Sequence, residues 1–165
     1  MQTDYAVSPV QYSAPNGHYC HFDALEKGVW KFTFLKATQA AVDEWFAIQD
    51  HLKHHYPKPE PYVRMLLNFK PDGPAPLLYT LQSARAWRQK YPDLKYTHIR
   101  AVCLLKPMGA LQAGYAYLIK EGIMTFNMHQ IEVEILDDEA RALTWLTDSE
   151  RGSLTFQSQH QILVK

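Results

Sequence analysis

Few side chains in this sequence have both the type and the spacing that chemistry demands. His51, His54 and His55 form the densest titratable group. On a helix, His51 and His55 share a face at a spacing used by metal sites, but no acid or cysteine stands beside them in a metalloenzyme pattern. Three imidazoles at a helix end also suit the helix dipole with no metal at all. His18, Cys20 and His21 are a second group, because alternate positions of a strand put His18 and Cys20 on one side, as a thiol and its base require. A third group that would orient the base is missing, as is an oxyanion donor. Gly109 and Gly114 have the glycine spacing of a phosphate loop, but Tyr115 and Ala116 occupy the places of the lysine and hydroxyl that hold phosphate and magnesium. Asp137, Asp138 and Glu139 could serve as acid and base, yet they stand where a helix begins and favour its dipole there. No motif calls for a cofactor or a metal.

One further group depends on architecture. If the strands are parallel, the loops that follow them meet at one edge of the sheet, where ligands of open α/β sheets gather. Those loops carry Asn68, Lys70 and Asp72 in one and Lys106 and Met108 in the next. Two lysines near two helix starts favour an anionic group, although loop tips carry solvated lysines routinely.

The elements that must position these residues are organised around His98–Leu105. This apolar run, closed by Lys106-Pro107, reads as a strand covered on both faces, and the segments before and after it, Leu77–Tyr91 and Gly109–Lys120, have helical spacing. A parallel α/β core follows. Upstream, Tyr19–Ala24 and Val29–Leu35 are strand-like and joined by a loop ending in Gly28, which predicts an antiparallel hairpin. Thr38 caps a helix to His55 with Val42, Trp45, Ile48, Leu52 and Tyr56 inward. Tyr62–Phe69 is a second core strand. The helix Leu77–Tyr91 turns Leu77, Leu81, Ala84, Trp87 and Tyr91 inward. A helix around Leu111, Tyr115 and Leu118 gives way at Gly122 to a less regular stretch. Ile131–Leu136, with alternating Glu132 and Glu134, reads as a strand near a sheet edge. Asp137 or Asp138 caps a last helix with Ala140, Leu143 and Leu146 inward.

The whole predicts a mixed, mostly parallel five-stranded sheet flanked by helices, in a single domain over 1–165, with an arm at 1–17, a core at 18–146 and a tail at 147–165. The order of elements resembles the SpoIIAA-like branch of the STAS fold. The resemblance is most concrete in Arg100-Ala-Val-Cys opening a core strand and in Ile131-Glu-Val-Glu-Ile-Leu-Asp-Asp-Glu-Ala-Arg-Ala-Leu-Thr-Trp145-Leu146. It implies a small non-enzymatic domain used for regulatory contacts or for binding an apolar or anionic small ligand. The hydroxyl that STAS antagonists phosphorylate after the second core strand is not matched, since Asn68-Phe-Lys-Pro-Asp-Gly-Pro-Ala-Pro runs to Tyr79 and Thr80 without one.

Composition removes other classes. Seventeen basic against seventeen acidic residues leave no footprint for a phosphate backbone, so nucleic acid is not expected as a partner. No apolar run reaches the roughly 18 residues of a membrane span. Two cysteines make no disulfide framework, and with no export signal at the start a cytoplasmic location is expected. Apolar residues in the arm (Tyr5 to Tyr12) and the tail (Leu154 to Val164) suggest cross-subunit packing, hence a homodimer. The competing expectation is a small enzyme acting on an anionic molecule through His18 and Cys20 or through the loop around Lys70 and Asp72.

Overall fold

The computed structural model describes residues 13–55, 62–92, 98–126 and 131–148. Tyr5 to Tyr12, Tyr56 and Leu154 to Val164 lie outside them, and so do the packing roles expected of those residues. The described elements, in chain order, are β1 (Cys20–Leu25), β2 (Val29–Phe34), α1 (Gln39–His55), β3 (Tyr62–Asn68), α2 (Leu77–Lys90), β4 (His98–Leu104), α3 (Leu111–Phe126), β5 (Ile131–Leu136) and α4 (Glu139–Thr147). They form one α/β unit with a five-stranded sheet in the order β1-β2-β3-β4-β5. β1 and β2 pair antiparallel and every other pair is parallel, so the expected mixed, mostly parallel sheet with an antiparallel hairpin at its start is what forms.

The hairpin turns where the sequence offers a glycine. Gly28 takes φ 70°, and Lys27 beside it also enters the left-handed region at φ 58°, which two successive positive-φ residues of a tight turn require. Each parallel link needs a crossover, and α1, α2 and α3 supply them. All three lie on the same face, where Phe32, Phe34, Met65, Leu67, Ala101, Cys103 and Leu105 of the sheet meet Val42, Trp45, Ile48 and Leu52 of α1 and Ile119 of α3. The opposite face is covered by α4 alone among the described helices, with Val29, Leu66, Val102 and Leu104 packing against Ala142 and Leu146. Ala101 through Leu105 are all buried, as a central strand demands. The helices α2 and α3 that flank β4 in sequence therefore share a layer, and it is α4 that closes the other side.

Three helices depart from their expected form. In α3 the helix continues through Gly122 to Phe126. A glycine inside a helix costs about 1 kcal/mol, too little to end one where no proline follows. Its inward residues are Tyr115 and Ile119, while Leu111 and Leu118, the other two residues around which the helix was expected, are 74% and 54% exposed. In α4 the buried positions are Ala142 and Leu146, Leu143 is half-buried, and Ala140 faces out. α2 has no fully buried residue. It touches the core through Leu77 and Tyr79 and leans on α1, where Trp87 Nε1 donates to Asp50 at 2.8 Å and the Trp87 ring lies 6.3 Å from Phe46.

Candidate functional site

The parallel topology gathers the loops after β2, β3, β4 and β5 at the carboxyl edge of the sheet, as expected for Asn68, Lys70, Asp72, Lys106 and Met108. Most of these are bonded within the chain. Asn68 Oδ1 accepts from Lys70 N at 3.1 Å, closing the turn that leaves β3. Lys70 Nζ donates to the Asp137 carbonyl at 2.7 Å, tying the loop after β3 to the one after β5. Asp72 Oδ2 accepts from Ala37 N at 2.8 Å and ties the same loop back to the start of α1. Met108 is half-buried, and its amide donates to Gln112 Oε1 at 3.2 Å. Lys106 is exposed. The edge is thus laced together by its own polar groups, and Lys70, the cation meant to meet a ligand, already donates to a carbonyl.

The thiol pair resolves differently. Cys20 is fully buried, and its thiol is pushed up to about 12, first by burial and then by the negative Glu44. A nucleophile needs thiolate, and this environment withholds it. Cys103 is in the same state, pushed up to about 12 by burial. What surrounds Cys20 is an anchor of the sheet edge that the sequence does not reveal. The Glu44 carboxylate of α1 accepts from the backbone N–H groups of His18, Tyr19 and Cys20 at 3.0, 2.6 and 2.8 Å, while Asn16 Oδ1 accepts from Phe22 N at 2.8 Å. Together they satisfy donors that an edge strand would otherwise expose. A Cβ on Gly17 would collide with that carboxylate, which explains glycine there.

His51 and His55 stack with ring centroids 3.9 Å apart, and Nδ1 of His54 and His55 lie 2.8 and 2.9 Å from the carbonyls one turn back. His54 and His55 thus reach back to carbonyls of their own helix, a local use of the rings that calls for no metal. Among the described residues no three His, Cys, Asp or Glu side chains converge as a metal would need. Of the acids at 137–139, Asp138 is the cap, its Oδ1 accepting from Ala140 N at 2.8 Å, and Glu139 pairs with Lys31 at 2.7 Å.

Two features escape reasoning from the sequence alone. One is the outer surface of α3: Leu111, Tyr117 and Leu118 are exposed at 74%, 63% and 54%, with Gly114 open between them and Leu78 of the neighbouring α2 at 76%. From Leu111 to Ile119 the helix carries no charge, so this face is apolar without a polar stripe. The other is Arg100, which is 5% exposed beneath the end of α4. Its Nε pairs with Glu132 at 2.7 Å, and its Nη1 donates to the carbonyl of Asp148 at 2.8 Å. Glu132 and Glu134 of the edge strand are consequently half-buried under α4 rather than wet.

Comparison with protein-family models, with curated proteins and with solved structures found no match. No described helix is long and apolar enough to cross a membrane.

Proposed function

We propose that this chain is a non-catalytic, STAS-like regulatory protein that works by protein contact, and that the outer face of α3 is where contact is made, in the first place with a second copy of itself. The observation that carries the reading is the uncharged, outward row Leu111, Gly114, Tyr117 and Leu118. Large apolar side chains grouped on one surface mark interaction sites far better than scattered ones do. Gly114, with open space where a Cβ would stand, lets another backbone come close. A second copy suits the face because the same patch can meet itself about a two-fold axis, and a net charge of zero sets no long-range repulsion against it. Support for the STAS-like part comes from the order of elements, a hairpin and then helix and strand three times before a closing helix. Contact is favoured over turnover or ligand capture because Cys20 is a buried thiol and Asn68, Lys70 and Asp72 are bonded to the chain itself.

Sedimentation equilibrium tests this. The native chain is expected to dimerise, and Leu118→Glu to shift the equilibrium to monomer by at least about tenfold in Kd, the equivalent of 1.4 kcal/mol, with unchanged circular dichroism. A wild-type monomer at every concentration, or a dimer indifferent to Leu118→Glu and Leu111→Glu, would sink the assignment.

A further inference from the structure

The face of the sheet under α4 holds two arginines side by side. The register aligns Val29, Arg64, Arg100 and Glu132 across β2 to β5, and Arg64 and Arg100 point to the same face as Leu66 and Val102 two residues on in each strand. Adjacent strands run about 4.8 Å apart, so the two arginine side chains leave the sheet side by side, Arg100 buried and Arg64 half-buried. Like charges so placed repel, and a negative group lying against both would relieve that repulsion.

The bonds within the chain leave part of that requirement unmet. Arg100 uses Nε for Glu132 and Nη1 for the carbonyls of Asp148 and Trp145, and its guanidinium lies 5.3 Å from the Trp145 ring. Holding the end of α4 accounts for those contacts. It does not account for Arg100 Nη2, which is buried with no hydrogen-bond partner among the described residues. Among the described residues, Arg64 Nη1 donates to the Lys27 carbonyl at 3.1 Å, and Nε is buried with no partner. Its neighbour across that bond is the left-handed turn at Lys27 and Gly28. Each of these neighbouring arginines thus keeps one buried N–H donor unused, and a planar or tetrahedral oxyanion is the acceptor to which arginine donors are best suited.

We propose that Arg64 and Arg100 bind the oxyanion of a small molecule, a phosphate or carboxylate group, between the β1–β2 turn and the Trp145 end of α4. The site is on the opposite face of the sheet from α3 and does not depend on the contact surface proposed above. Glu132 holds Arg100 Nε and so sets the orientation in which Nη2 is free.

The intact chain is titrated calorimetrically with inorganic phosphate and with acetate, against chloride at equal ionic strength. Binding of either oxyanion beyond the chloride control is expected, and the stronger of the two identifies the group. Arg64→Gln is the decisive variant, since Arg100 also anchors α4. It should weaken binding by about tenfold or more, and Arg64→Lys, which keeps the charge and loses the fork, should weaken it less. No binding by the native chain, or equal binding by folded Arg64→Gln, overturns the proposal.

Discussion

Asp50 shows how one carboxylate can hold two helices together. It lies on α1 and accepts from Trp87 Nε1 and Lys90 Nζ of α2, each at 2.8 Å. Partial burial alone would raise its pKa, but the hydrogen bonds from Lys90 and Trp87 outweigh this and hold the carboxyl below its usual value of 3.8. A carboxyl with a lowered folded pKa adds stability that is complete above its unfolded pKa of about 3.9 and is lost as pH falls through the folded value. The native chain should therefore lose more of its urea midpoint than Asp50→Asn between about pH 5 and about pH 2.5, since other carboxylates titrate alike in both. Equal losses in the two proteins would show that Asp50 does not link α2 to α1 in solution. The exposure of Lys90 keeps the salt bridge itself a minor contributor.

At the scale of elements, the strands were legible because period-two patterns and β-rich composition agree over β3, β4 and β5, and the hairpin was legible from Gly28. The helices were legible in place but not in facing. Leu111, Tyr115 and Leu118 share a stripe by their spacing, but α3 has more apolar residues than one buried face can take, and of the three only Tyr115 packs on the core. The loop bonds were beyond reach for a different reason: Lys70 donates to the backbone carbonyl of Asp137, and a carbonyl leaves no mark on the residue type that bears it. The same holds for the three amides gathered by Glu44. Capping, by contrast, is local and was readable as Asp137 or Asp138. The structure selects Asp138, whose Oδ1 accepts from Ala140 N at 2.8 Å and Arg141 N at 3.5 Å. Asp138→Ala should lower stability by about 1 kcal/mol in urea titration, and Asp137→Ala by a few tenths at most. Equal effects at both positions would mean that the start of α4 is not held by this side chain.

For the molecule as a whole, the two faces of the sheet are unequally covered. Three helices share one face, and on the other α4 is the sole described helix, seated through Ala142 and Leu146 on Val29, Leu66, Val102 and Leu104. Without it, the buried side of the two central strands would meet water. Docking of α4 and integrity of the sheet should therefore be one event, and Arg100 adds to this by tying β4 to the Asp148 carbonyl. Leu146 is fully buried, so Leu146→Ala should cost about 2–5 kcal/mol, a large part of the roughly 5–15 kcal/mol that a domain possesses. Tryptophans report both faces, Trp45 in the three-helix layer and Trp145 on α4 itself. With single-tryptophan variants retaining one or the other, urea unfolding of Leu146→Ala should give one shifted midpoint common to both probes and to far-ultraviolet circular dichroism. An early transition confined to Trp145 would instead show that α4 leaves the sheet standing when it departs, and that the three-helix face supports the strands by itself.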